Sequence, residues 1–353
     1  MKAPGEHSGK GITVASLSEE QVPAIASLLL AQQTRQREHD VRLRPARSRE
    51  QVTATLVERL AAGKPSLVAL DACGYVRGYA NPAVWELAET SILRAFLPAR
   101  GGVVRELALP DPADEDAAAV ISGLLAALSS WWQSYGTTGD LVRWPSADRW
   151  IEPFLATQGF RLDSVCAVRR PYGIIPHHPP SRIVTRPARP TDEEALVDLF
   201  AEELLYHERY TPFVRCRPAV LTAFRRKLAR LWGGERMEEG APLVLVAQHD
   251  GEVVGMGETT LLDILPEVEP GFTPPGRYGC IDNVSVREAW RGQGIGHLLV
   301  QAVYDAFARL PLTLDGWLLW YNPDNPQASR FWPRVGFVPL WTTYQRLHPL
   351  AEG

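Results

Sequence analysis

The residues best suited to chemistry in this chain lie between Ile281 and Phe307, in the run I-D-N-V-S-V-R-E-A-W-R-G-Q-G-I-G-H-L-L-V-Q-A-V-Y-D-A-F. Gly292, Gly294 and Gly296 carry no side chain to stop the backbone turning tightly and aiming successive N–H groups at one point. The helix that follows adds the positive end of its dipole. Such a loop holds an anion, and a pyrophosphate is its natural occupant. A dinucleotide fingerprint would place Gly-x-Gly-x-x-Gly after the first strand of a βαβ unit, with an acidic residue about 20 positions on. The glycines here run in the other order, and the Gly-Lys-Ser/Thr of a nucleotide-hydrolysing loop is absent.

Positioning this loop takes a strand that delivers it and a helix that it starts. The apolar run from Ile281 to Val286 predicts the strand, with Asp282 on it, and Met256-Gly257-Glu258-Thr259 predicts a neighbouring strand that carries a second carboxylate. Upstream, Thr191-Asp192-Glu193-Glu194 reads as a capping box opening an amphipathic helix through Leu196, Leu199, Leu204 and Leu205. The same order of signals occurs twice. Leu67–Leu70 followed by Gly74–Gly78 parallels Leu243–Val246 followed by Gly251–Gly255. Val104–Leu109 parallels Cys280–Ser285, and Gln158-Gly159-Phe160 parallels Val335-Gly336-Phe337, at offsets of 176 and 177. A proline-dense segment, Pro171 to Arg182, separates the copies. The expected layout is therefore a unit over 1–172, a linker over 173–182 and a second unit over 183–353. Each unit is of the α/β class, an α+β mixed sheet with its ligand crevice at the carboxyl ends of strands.

A chain of 353 residues is long enough for two such cores. The formal net charge of -4, with no block of Lys or Arg, argues against a nucleic-acid partner. The most apolar stretch, Ala117 to Trp132, is interrupted by Ser122, Gly123, Ser129 and Ser130 and is too short to span a bilayer, so no membrane role is expected. Cys73, Cys166, Cys216 and Cys280 show no metal or redox spacing, and the opening M-K-A-P-G-E-H-S-G-K lacks a secretory apolar run. A soluble cytoplasmic protein is expected. His177-His178 has no companion ligands, so no metal is expected either.

Arg291-Gly292-Gln293-Gly294-Ile295-Gly296 resembles the Arg/Gln-x-x-Gly-x-Gly/Ala signature of the GNAT N-acetyltransferase superfamily. Asn322 to Phe337 resembles that superfamily's Asn-x-x-Ala-x-x-Leu-Tyr-x-x-x-Gly-Phe element. Both lie in residues 183 to 350, and the whole reads as two tandem GNAT-like acyl-CoA N-acyltransferase domains, the first degenerate. The resemblance implies acetyl-CoA as cosubstrate, its pyrophosphate held by the amides of Arg291, Gly292, Gln293, Gly294, Ile295 and Gly296, with Arg291 as an added charge partner. It implies that Val284, Ser285 and Val286 pair with the pantetheine arm and that an N–H near Val284 polarises the thioester carbonyl. It also places Asn322, Asn325, Ala328 and Trp332 at the coenzyme. The reaction implied is direct attack by an amine of a small molecule, in a monomer or homodimer. A protein N-terminus as acceptor, and a non-catalytic acyl-CoA-binding module, are the alternatives.

Amine attack needs a base, and the departing thiolate gains from an acid. Asp282 and Glu258 are the candidate bases, Asp282 favoured for its place just upstream of the pantetheine strand; burial would raise its pKa, as a base requires. Trp332 stands where many relatives carry a tyrosine, and an indole is no proton donor for a thiolate. Tyr321 and Tyr344 are the nearest phenols in sequence; Tyr344 is the candidate acid, with solvent as the alternative. His207 falls on the helix-loop expected over the acceptor pocket, and Glu202, Glu203 and Glu208 suit a cationic amine. In the first half the loop position reads Asp114-Glu115-Asp116-Ala117, with acids and no glycine, which predicts no coenzyme there.

Overall fold

The internal repeat is realised element for element. The first half runs β1 (Thr13–Ser16), α1 (Val22–His39), α2 (Arg49–Ala61), β2 (Leu67–Leu70), β3 (Val76–Glu86), β4 (Arg100–Ala108), α3 (Ala117–Ser134), β5 (Gly139–Pro145), α4 (Glu152–Thr157) and β6 (Arg161–Arg169). The second runs β7 (Ile183–Pro187), α5 (Glu193–His207), α6 (Pro218–Trp232), β8 (Leu243–His249), β9 (Glu252–Ile264), β10 (Gly276–Val286), α7 (Ile295–Phe307), β11 (Gly316–Tyr321), α8 (Pro326–Arg334) and β12 (Val338–Leu347). The computed structural model describes residues 11–171, 182–236, 241–265 and 273–348. The linker read at 173–182, Arg182 apart, lies outside the described residues, as do His177 and His178.

Local chemistry starts the helices. Ser48 accepts the Gln51 N–H at 3.2 Å while Gln51 reaches back to the Ser48 N–H at 2.9 Å, a complete capping box for α2. The box expected at Thr191 is not the one used. A turn over Pro190–Asp192 precedes α5, and Asp192 accepts from the Arg189 N–H at 2.7 Å and from Arg186 at 2.7 Å.

All twelve strands form one sheet, in the order β1-β2-β3-β4-β5-β12-β6-β11-β10-β9-β8-β7. The boundary at 172/183 divides the chain in sequence but not in space, because the halves exchange their last strands. β12 lies between β5 and β6, and β6 lies between β12 and β11, all antiparallel. In each half a short parallel pair then opens into a wedge. β10 pairs with β11 only from Tyr278↔Gly316 to Cys280↔Leu318, and β4 pairs with β5 only from Gly101↔Gly139 to Val103↔Leu141.

A β-bulge sets the true register of the repeat. Asp282 is the extra residue where the ladder steps from Ile281↔Thr259 to Asn283↔Glu258, as Arg105 is where it steps from Val104↔Pro82 to Glu106↔Asn81. Asp282 therefore matches Arg105, one residue away from the 176 offset read in the sequence, and Val284 and Val286 match Leu107 and Leu109.

Buried side chains recur at helical spacing on each face. Val120, Ile121, Leu124 and Leu128 of α3 seal the first half, and Val300, Val303 and Phe307 of α7 seal the second. On the opposite face of the second half, Leu196, Leu199 and Phe200 of α5 and Phe224 and Leu228 of α6 cover Val244, Val246 and Met256. Among the described residues no helix is long and apolar enough to cross a membrane.

Candidate functional site

The strand-loop-helix read from the sequence forms one wall of a cleft of about 540 Å³. Gly292 and Gly294 both sit at positive φ, 77° and 83°, a conformation that side-chain-bearing residues adopt only under strain. Gly294 is the residue immediately before α7. The first helical amide to find a main-chain acceptor is that of Leu298, bonded to the Gly294 carbonyl at 3.1 Å. The N–H groups of Ile295 and Gly296 have no acceptor within the helix, as a helix start requires, and both residues line the cleft, as does His297. Gly296 is small for a different reason: a Cβ there would stand 3.2 Å from the Phe331 ring on the facing wall. These features fit a diphosphate group.

The structure brings most of the expected residues to this cleft. Val284, Ser285 and Val286 line it from the edge of β10, with Gly292, Gly294, Ile295 and Gly296 at the loop and Asn325 and Ala328 opposite. Ser285 also ties β10 to α5 by donating to the Leu199 carbonyl at 3.2 Å. Asn325 caps α8, accepting the Gln327 and Ala328 N–H groups at 3.0 and 3.3 Å.

Other expectations are corrected. Arg291 lines the cleft, but its guanidinium is committed within the protein. It donates to the Val286 carbonyl at 2.9 Å, pairs with Glu202 at 3.1 Å and stacks over the Tyr206 ring at 4.8 Å, so it fastens the loop rather than offering a free charge. Gln293 turns to the Ala289 carbonyl at 3.3 Å and is absent from the lining. Asn322 is buried in a turn, accepting the Asp324 N–H at 2.7 Å, and Trp332 packs edge-on against Phe331 and Phe337; neither lines the cleft.

Tyr344 is removed as the acid by the strand exchange. β12 carries it into the first half's core, where its hydroxyl donates to Glu152 at 2.6 Å. Burial, and then that carboxylate, hold its pKa far above the ordinary phenol value. Tyr344→Phe is expected to leave turnover unchanged and to cost about 1 kcal/mol of stability, readable as a lower urea midpoint.

The two carboxylates do come together, and it is Glu258 rather than Asp282 that is buried. Asp282, at the bulge, remains partly exposed and is held by Thr260 at 2.9 Å and by Lys227 of α6 at 3.2 Å. Glu258 is the buried one, 2% exposed, with the Lys227 ammonium at 2.6 Å. Burial pushes Glu258 up to about 7 against the pull of Lys227, with Asp282 and Glu203 adding repulsion. Burial alone would lower Lys227, but the two carboxylate charges outweigh it and raise its pKa.

Sequence reasoning missed several of these groups. Lys227 had no motif to mark it, since α6 brings it to the strands only in the folded chain. Glu203 and His207, both placed near the acceptor pocket from the sequence, line the cleft 3.6 Å apart. Asn283, cross-strand from Glu258, is buried with its side-chain carbonyl unpaired. Among the described residues no group of His, Cys, Asp or Glu has the makings of a metal site.

The first half differs at the matching place. Asp114 and Asp116 are paired to Arg77 at 3.0 and 2.6 Å, and Asp114 lines an opening of about 570 Å³ together with Arg77 and Leu109, so that acids stand where the second half has its glycine loop. The Gln32 side chain donates to the Leu107 carbonyl at 2.7 Å and accepts the Leu109 N–H at 2.7 Å. Those strand groups correspond to the carbonyl of Val284 and the N–H of Val286, so an internal amide occupies the strand edge that stays open in the second half.

The sequence profile of the acetyltransferase (GNAT) family matches residues 202–337. No curated protein matches the chain. Among solved structures, a GCN5-related N-acetyltransferase from Sphaerobacter thermophilus is similar over 96% of both chains at 17% identity, with a TM-score of 0.53. A tandem GNAT protein from the clavulanic acid biosynthesis pathway is similar over 96% of this chain and 99% of its own at 16% identity, with a TM-score of 0.45. Residues 202–337, which hold the glycine loop and the wedge, match the acetyltransferase (GNAT) family profile, and the fold of the whole chain, its first half included, is similar to that of a GCN5-related N-acetyltransferase.

Proposed function

We propose that the chain transfers acetyl from acetyl-CoA to an amine of a small molecule by direct attack in a ternary complex. The observation that carries this reading is the cleft that joins the N-terminus of α7, at Gly294, Ile295 and Gly296, to the open edge of β10 beside the β10/β11 wedge. Acetyl-CoA supplies the activated thioester. The amides of Ile295 and Gly296 hold its diphosphate, the edge from Val284 to Val286 aligns its arm, and the strand-end N–H at Val284 polarises the carbonyl.

Glu203 lines the cleft and draws in a protonated amine, and Glu258, buried outside that lining beside Lys227 and Asp282, accepts its proton through a water. Attack then forms the C–N bond and breaks the C–S bond, while a second proton reaches the leaving thiolate from solvent, since Trp332 offers none. Holding both reactants in one cleft supplies much of the rate. Four free cysteines suit a reducing cytoplasm.

Calorimetry with acetyl-CoA, followed by a thiol-release assay over small amines, a protein N-terminal peptide and a lysine peptide, tests the reading. Tight binding with thiol release on small amines is expected. No binding would sink it. The lack of a phenol at Trp332 favours one other reading, an acyl-CoA-binding module without turnover, and binding without release on any amine would select it.

A further inference from the structure

The cleft has a second charged feature that the pyrophosphate cradle does not use. Arg330 and Arg334 of α8 line it from the wall facing the glycine loop, and both are exposed. Four residues apart on one helix, they project from the same face about one turn from each other. Several arginines elsewhere in the second half are matched to carboxylates: Arg186 to Asp192, Arg225 to Glu193, Arg230 to Glu235 and Arg277 to Asp263. No such carboxylate stands against Arg330 or Arg334 among the described residues. Two guanidinium groups without counter-charge on the wall of a ligand cleft make a site for a second anion, and their planar forks suit a phosphate.

We infer that Arg330 and Arg334 bind the phosphate on the ribose of coenzyme A and make the cleft selective for the 3′-phosphorylated coenzyme. This rests on the reading of the cleft as a coenzyme A site and adds a part to it. The loop amides grip the diphosphate, and the arginine pair reads the separate monoester, so a coenzyme that lacks it loses only the second contact.

Calorimetry with coenzyme A and with dephospho-coenzyme A separates the two contributions. The natural protein is expected to bind coenzyme A about tenfold more tightly, the worth of roughly one charge-assisted hydrogen bond. Arg330→Gln/Arg334→Gln is expected to weaken coenzyme A to the level of dephospho-coenzyme A while leaving the latter unchanged, and Arg330→Lys/Arg334→Lys to keep part of the preference. Thermal melts with both residues changed should match the natural protein, because neither is buried. Equal affinity of the natural protein for the two coenzymes would overturn the inference and leave the cleft reading standing, as would a double variant that loses both equally. Binding of neither by the natural protein would remove the cleft reading and this inference with it.

Discussion

Gly294→Glu is expected to lower acetyl-CoA affinity by at least 100-fold, measured by calorimetry, with the protein still folded. Two effects add. At φ 83° any side chain strains the backbone by roughly 1–2 kcal/mol, which shifts the amides that follow it at the start of α7. The new carboxylate also brings like charge to a diphosphate where the dielectric is low. A strain of that size is small against the roughly 5–15 kcal/mol that holds a domain together, so far-UV circular dichroism should be unchanged. Gly294→Ala, carrying the strain without the charge, should fall between the two. Unaltered affinity in Gly294→Glu would mean that these amides hold nothing.

The second large effect is expected at Glu258. Glu258→Gln should reduce kcat by about 10²- to 10⁴-fold, the usual worth of a positioned base, with little change in acetyl-CoA affinity. The pH dependence is the sharper readout. Glu258 must be ionised to accept a proton, so activity should rise with pH through a limb near 7, where burial holds its pKa, and that limb should vanish in Glu258→Gln. Lys227→Met removes the cation 2.6 Å from Glu258 and should move the limb to higher pH in an enzyme otherwise intact. A limb that survives Glu258→Gln and disappears in Asp282→Asn would transfer the role to the bulge residue. The sign for stability runs the opposite way. The folded pKa lies above the ordinary carboxylate value of 4.5, so ionising Glu258 in place destabilises the fold progressively between pH 4.5 and about 7 and no further above it.

What was legible in the sequence was whatever depends on neighbours along the chain. Glycine spacing after an apolar strand located the cradle, and repeated strand and turn signals located the two halves. Ladder register and strand exchange are set by partners over a hundred residues away, and there local reading failed. The bulge at Asp282 displaced the repeat by one residue. It also left Asp282 exposed, while Glu258 on the neighbouring strand was buried. Tyr344 looked close to the site because its strand follows α8 directly, yet the exchange carries it into the other half. Arg291 matched a family position, but Glu202 on another helix had already claimed its charge.

The crossing of β6 and β12 makes each copy the keeper of the other's last strand. A gene shortened to residues 183–353 would encode every residue that lines the glycine-loop cleft and still leave β12 without β5 and β6, and β11 without its antiparallel neighbour. The half without a glycine loop thus cannot be pruned away: it survives as the mould in which the other half is cast, and its loss would be felt as misfolding before it was felt as lost chemistry.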